Sequence, residues 1–343
     1  MSQPPGFPAA DDPADRALRP RALIEFNGQE PVVRNLAVAI EAAKGRKEQL
    51  DHILLSGPPG LGKPTLAHIM AKEMGVEIHE TAGPMLERPG DLAGILSALR
   101  PGSLLFIDEV HSLKRVVEEY LYSAMEDFRI TIQIGEGATA SALTLNLPPF
   151  TLVAATTREG SLSAPFRSRF GIRERLDLYS VADLSRILSR SATLLGVEAD
   201  IDGLETIAKR SRGTARYANN HLRRIRDLAQ VRYDNRISQA VAEEGLQMLG
   251  IDAAGLTELD RRILRCLYDQ GRAVGLKTLS VSIGEEETTI EDVYEPFLIQ
   301  CGLISKTPSG RILTAKGYDH LGLPAPRLAS DLQQRLFDLP KDR

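Results

Sequence analysis

From Glu30 onward the apolar residues fall at Val32, Val33, Leu36, Ala37, Ile40 and Ala43, the spacing of a helix with one buried face. The pattern then changes to the unbroken apolar run Ile53 to Leu55, which predicts a short strand buried on both sides. The alternation repeats. Leu66, Ala67, Ile69, Met70 and Met74 predict a helix ending near Gly75, Val76 to Thr81 a strand, Asp91 to Leu99 a helix, and Ser103 to Val110 a strand. A helix from Val116 and a further strand over Phe150 to Ala155 continue the series. Apolar strands separated by helices predict the α/β class, with a parallel sheet covered on both faces.

Beyond Val181 the strands stop. Val181 to Leu195, Gly203 to Arg212, Arg216 to Val231 and Ser238 to Leu249 all carry helical spacing, which predicts a small helical domain. Ile251 to Gly255 reads as a small-residue linker. Helices over Glu258 to Tyr268, Lys277 to Ile283 and Thr288 to Cys301 follow, and then a hairpin of Leu303 to Lys306 and Arg311 to Thr314 around Thr-Pro-Ser-Gly, the plan of a winged helix. The expected layout is a disordered lead-in over 1–17, a large domain over 18–179, a helical lid over 180–250 and a winged-helix domain over 253–343.

Composition narrows the reading only a little. A net charge of −4, from 42 basic and 46 acidic residues, means that any nucleic-acid contact comes from a local basic patch. Cys266 and Cys301 stand in no metal-type spacing and read as thiols of a reducing compartment. Met1 to Arg16 lacks a basic start and an apolar core, and no later stretch is long and apolar enough to span a bilayer, so a cytoplasmic protein without membrane contact is expected.

The chemistry starts at residues 53 to 63, Ile-Leu-Leu-Ser-Gly-Pro-Pro-Gly-Leu-Gly-Lys, a strand running into a glycine-rich turn that ends on lysine. Gly57, Gly60 and Gly62 let backbone N–H groups face a phosphate chain at a helix N-terminus, and Lys63 reaches the outer phosphates. The strand ending in Asp108-Glu109 follows about 45 residues later. In a parallel sheet both features fall at the carboxyl ends of strands, where ligands bind. Asp108 suits the metal-organising carboxylate, and Glu109 suits the base that activates water. Thr157, after the next strand, is placed to sense the terminal phosphate. Arg167 and Arg169 lie beside an apolar anchor, which reads either as solvated charge or as an arginine delivered to a neighbour. The basic run His221 to Arg226 reads as a solvated helix stripe.

Leu18-Arg19-Pro20, Gly28-Gln29, the phosphate loop, Phe106 to His111, Met125 to Phe128, Leu147 to Thr151, Ala155 to Arg158, Arg169 to Ile172, Gly213 to Arg216 and Ile290 to Pro296 together resemble the RuvB family, ring-forming AAA+ motors of Holliday-junction branch migration. The resemblance implies ATP and Mg2+ as cofactors, Holliday-junction or duplex DNA, RuvA and RuvC as partners, and a homo-hexamer. It implies that Leu18, Arg19 and Tyr179 line the adenine side of the pocket and that Gly60, Lys63 and Thr65 hold phosphates. Glu126, Asp127 and Phe128 match a nucleotide-proximal stretch, Arg169 the arginine finger given to the next subunit, and Arg216 the sensor arginine of the lid. In the wing, Lys306 and Arg311 match basic DNA-binding positions, whereas the acidic approach to the third helix, Glu285 to Glu287 with Glu291 and Asp292, repels phosphate.

Three positions depart from the pattern. Pro64 stands where a Ser or Thr hydroxyl binds magnesium, and proline pushes the preceding Lys63 away from helical geometry. The hairpin from Ile130 to Leu147, which meets RuvA in the family, has no basic residue in Thr139 to Thr144. Asn27 replaces an apolar residue before Gly28. Two readings follow: an active ATP-driven DNA motor, or a nucleotide-binding ring subunit with impaired hydrolysis and a structural or regulatory role.

Overall fold

A computed structural model describes residues 13–134 and 141–324. Two compact units divide between Glu243 and Glu244. Residues 180–243 of the expected lid fall in the first unit, and its last residues in the second. Residues 1–12 of the expected lead-in and 325–343 of the expected last domain lie outside the described residues, and regular structure begins earlier than expected, with α1 at Pro13–Leu18.

The first unit is built on five parallel strands, β1 (Ile53–Ser56), β2 (Ile78–Ala82), β3 (Leu104–Asp108), β6 (Thr151–Thr156) and β7 (Ile172–Arg175), in the order β2-β3-β6-β1-β7. β4 (Arg129–Ile134) and β5 (Ser141–Asn146) form a separate antiparallel hairpin. The helices are α2 (Glu30–Arg46), α3 (Lys63–Met74), α4 (Pro89–Ser97), α5 (Arg115–Asp127) and the short α6 (Ala164–Arg167). β1, β6 and most of β3 are buried along their length, as their apolar sequences require of strands covered on both faces. One side of the sheet rests on a cluster that includes Leu54, Leu105, Ile107, Leu121, Phe150 and Phe166.

The order decides where the chemistry lies. β6, distant in sequence from both, is inserted between β1 and β3, with Leu55 opposite Ala155 and Ile107 opposite Ala154. The carboxyl ends of β1, β6 and β3 therefore present the phosphate loop, Thr156-Thr157 and Asp108-Glu109 side by side.

The lid consists of α7 (Val181–Leu194), α8 (Ile201–Lys209), α9 (Ala215–Arg232) and α10 (Gln239–Met248). Two-residue strands β8 (Glu198–Ala199) and β9 (Arg236–Ile237) pair within it. The basic run on α9 differs from expectation. His221 and Arg223 are buried, and only Arg224 of the run is fully turned to solvent. A helix of 18 residues wedged among neighbours buries more than one stripe, so charge at helical spacing did not mark its outer face. Burial, reinforced by the nearby Arg212 charge, pushes the His221 imidazole down to about 3.

The second unit contains α11 (Glu258–Gln270), α12 (Leu276–Ile283), α13 (Glu287–Thr289), α14 (Glu295–Gln300) and α15 (Ala315–Leu321), with β10 (Ile304–Thr307) and β11 (Gly310–Leu313) as an antiparallel wing. The expected continuous third helix contains a π-helical stretch, Ile290–Tyr294, ahead of Pro296. Proline has no N–H and crowds the carbonyl four residues earlier, so the wider turn accommodates it.

Candidate nucleotide site and DNA-facing wing

The turn after β1 opens with Gly57 at φ +132°, where a Cβ would lie 2.3 Å from the Leu176 carbonyl oxygen, so only glycine fits. Gly62 then caps α3, Lys63 takes its first position and Pro64 its second, and Leu66 N–H donates to Gly62 O at 3.0 Å. Lys63 is thus helical. The displacement expected from Pro64 is absent, and Pro64 itself costs α3 no hydrogen bond, because an N–H in the first helical turn has no intrahelical partner. Lys63 is 5% exposed, and its ammonium donates to the Gly57 and Pro58 carbonyls at 2.7 and 2.9 Å. Burial lowers it to about 8. Asp108 opposes that shift and Arg216 adds to it.

A cleft of about 260 Å³ gathers the site. Of the sequence-predicted residues, Leu18, Arg19, Gly60, Gly62, Lys63, Pro64, Thr65, Asp108, Glu109, Thr157, Tyr179 and Arg216 line it. Gly57 shapes the loop behind it. Glu109 adopts φ +49°, a left-handed conformation that costs a non-glycine residue roughly 1–3 kcal/mol, and its N–H donates to Asp108 Oδ1 at 2.9 Å. The two carboxylates are set by this turn. Thr156 is not available to a ligand: it is buried, with its hydroxyl within 3.1 Å of His111 Nδ1, and Thr157 is the one that reaches the cleft.

The lid closes one side. Arg216 N–H donates to Gly60 O at 3.3 Å, which seats the start of α9 on the phosphate loop. Tyr179 O–H donates to Leu61 O at 2.8 Å, and burial holds its phenol well above the usual range. Gly28 has φ +80°, and a Cβ there would meet Tyr179 and Asp183 atoms at 2.7 Å. Gln29, next along, donates to Asp177 O at 2.7 Å. The Gly-Gln pair therefore fastens the N-terminal segment to the strand–lid connection. Sequence reasoning missed Glu25, Phe26, Ile187, Arg190 and Asn219 in the cleft, since isolated residues at helical spacing carry no chemical pattern.

Glu126, Asp127 and Phe128 do not line the cleft of their own chain. Glu126 instead meets Arg169 at 3.1 Å, Asp127 pairs with Arg129, and Phe128 ends α5 at φ +48° with its ring edge-on to Phe150. Arg169 also donates to Pro165 O at 2.6 Å and stacks over the Tyr122 ring at 4.4 Å. Tyr122 and Ser163 both donate to Glu118, which fixes the platform beneath that guanidinium.

The wing corrects the sequence reading in part. Arg311 is 6% exposed, and its guanidinium donates twice to the buried carboxylate of Glu295. It faces Lys306 across the hairpin, but only Lys306 is exposed, with Glu291 at 2.7 Å. Arg311 is therefore an interior ion pair and presents no free charge to DNA.

Residues 18–176 match the Holliday junction DNA helicase RuvB P-loop domain, 179–252 the RuvB AAA lid domain and 253–322 the RuvB C-terminal winged helix domain. The chain belongs to the RuvB family. The solved Holliday junction branch migration motor RuvB of Thermotoga maritima is 48% identical and covers 90% of this chain and 100% of its own, with a TM-score of 0.81. A point mutant of the same Thermotoga protein gives 49% identity, the same coverage and a TM-score of 0.82. The architecture is thus an AAA+ P-loop domain with its lid, and a winged helix. No helix among the described residues is long and apolar enough to cross a membrane.

Proposed function

We propose that this chain is the cytoplasmic, ATP-hydrolysing subunit of a homo-hexameric ring that drives branch migration of Holliday junctions with RuvA, alongside RuvC. The observation that carries the reading is one cleft lined by the phosphate loop, Asp108, Glu109, Thr157 and the lid residue Arg216. ATP fits this donor set: amides at the start of α3 and the Lys63 ammonium take the phosphates, and Leu18, Arg19 and Tyr179 border the adenine.

Mg2+ also fits, with one ligand fewer than usual. Asp108 would help to hold it, with no hydroxyl at Pro64 to add a ligand; magnesium commonly keeps several waters and uses one or two carboxylates beside the phosphates. When bound it neutralises charge on those phosphates. Glu109 orients a water and takes its proton as the water oxygen attacks the terminal phosphorus. The bond to the bridging oxygen breaks, and ADP keeps that electron pair. Thr157 contacts the terminal phosphate and Arg216 reports its presence to the lid. Arg169, set on Tyr122 with Glu126 beside it, is supplied to the neighbouring subunit's nucleotide. In the second unit, Lys306 contacts DNA phosphate and Arg311 supports the wing. The β4–β5 hairpin meets RuvA through apolar residues such as the exposed Leu143.

Pro64 favours the second reading, a ring subunit that binds nucleotide and hydrolyses it poorly. Magnesium-dependent ATP turnover on four-way-junction DNA with RuvA separates the two, measured for this chain and for Pro64→Thr. The expected result is measurable turnover that rises substantially in Pro64→Thr. Turnover indistinguishable from zero in this chain, restored in the variant, selects the impaired subunit; equal rates in both remove the hydroxyl from the argument.

A further inference from the structure

We propose that Arg190, on lid helix α7, is a positioning residue that holds the adenine-side wall of the nucleotide cleft, so that this wall depends on the lid. The inference rests on the nucleotide reading above and concerns its base-binding end.

The wall begins where α1 ends. Arg19 precedes Pro20, which biases it away from helical geometry and stops the helix at Leu18. The last carbonyls of a helix then have no partner within it. Arg190 Nη1 donates to Leu18 O at 2.7 Å, and Nη2 lies 3.5 Å from Arg19 O. The same Nη2 reaches Glu25 Oε2 at 3.2 Å. That carboxylate also accepts the Arg21 N–H at 2.8 Å, which closes the turn between the two ends of the wall. One guanidinium thus spans both ends of the Leu18–Glu25 segment. Lysine could not do this, because only the planar fork presents several donors in fixed directions.

The lid therefore touches the cleft at two separated places. Arg216 meets the phosphate loop through Gly60, whereas Arg190, with Ile187 one turn earlier and Asn219 from α9, stands at the Leu18 and Arg19 end. Asn219 is itself fixed by the Ser191 hydroxyl at 2.8 Å, from the residue next to Arg190. Among the described residues, Glu25 and Arg19 share the cleft with the Arg190 guanidinium, and the Lys72 charge acts on Glu25. Any lid rotation either carries the wall with it or breaks the Arg190 contacts. Loss of Arg190 leaves the phosphate cradle intact and loosens only the base side.

Inorganic tripolyphosphate, which lacks adenosine, separates this role from general damage. Dissociation constants for ATP and for tripolyphosphate are compared by calorimetry on the full chain, in wild type, Arg190→Ala, Arg190→Lys and Glu25→Gln. Losing about two charge-assisted hydrogen bonds from the wall predicts that Arg190→Ala weakens ATP roughly ten- to hundredfold. Tripolyphosphate should change by less than about twofold, a difference well under a single hydrogen bond. Arg190→Lys and Glu25→Gln should lie between. Unchanged ATP affinity in Arg190→Ala, or equal weakening of both ligands, overturns the proposal. Should Arg190→Ala fail to fold, Glu25→Gln decides, and an ATP affinity there equal to wild type overturns it. A wild-type chain that takes up neither ligand is a different outcome, which defeats the nucleotide reading itself.

Discussion

Lys63 shows how burial turns a common motif residue into a titrating one. Its folded value of about 8 lies below the ordinary 10.5 of an unfolded chain. Between these values the unfolded chain holds a proton that the folded chain has released, so Lys63 costs stability at neutral pH and stability recovers as pH rises through that window. Nucleotide phosphates reverse the balance, because an adjacent anion favours the charged ammonium. ATP binding at pH 8 should then take up about half a proton per site, read by calorimetry in buffers of different ionisation heat. Lys63→Arg, charged throughout, should show no such uptake. Uptake equal in both proteins would assign the proton to another group. The lysine, the glycines and Asp108-Glu109 were all legible from local chemistry. Arg190 and Glu25 were not, since what makes them matter is a meeting across 165 residues.

At the scale of elements, the wing separates what spacing can and cannot report. The turn at Thr307 to Gly310 and both strands followed from the residues, yet Lys306 and Arg311 looked alike until the hairpin faced Glu295. Lys306 and Arg311 lie directly opposite each other on one face of the hairpin and both reach towards Glu291 and Glu295, but Arg311 is buried over the Glu295 carboxylate while Lys306 stays exposed. Removing one member of a buried ion pair costs roughly 3–5 kcal/mol. Arg311→Ala should therefore lower the unfolding free energy of the winged-helix unit by about that amount, measured by denaturant titration. Lys306→Ala should leave stability within about 0.5 kcal/mol and reduce the salt slope of duplex binding by about one. An Arg311→Ala protein as stable as wild type, with weakened DNA binding, would restore Arg311 as a phosphate contact. The buried face of α9 and the π-helical turn before Pro296 escaped the sequence for the same reason: periodicity records which residues could face inward, while neighbours decide how many do.

For the whole molecule, Arg169 lies outside the cleft of its own chain, and its proposed partner is the nucleotide of a neighbouring subunit. Its guanidinium rests on Tyr122, Glu126 and the Pro165 carbonyl, a platform within its own chain that fixes its direction. Arg169→Ala should cut ATP turnover by roughly 10³-fold, as loss of an arginine finger does, with the ATP dissociation constant nearly unchanged. Mixing Arg169→Ala chains with Glu109→Gln chains should recover part of the turnover, because each supplies the group the other lacks. Mixtures as inactive as the separate variants would place Arg169 outside the shared site.

The order of elements, the glycine-lined phosphate loop and the carboxylate pair could be read along the chain, because each depends on close neighbours: buried strands must be apolar, a phosphate needs unobstructed amides, and a winged hairpin needs its turn. Folding in three dimensions set the rest: β6 enters between β1 and β3, the lid meets the cleft at both ends, Glu126 pairs with Arg169, and Arg311 lies in the interior. Those outcomes depend on distances between residues far apart in the chain, which no local spacing encodes.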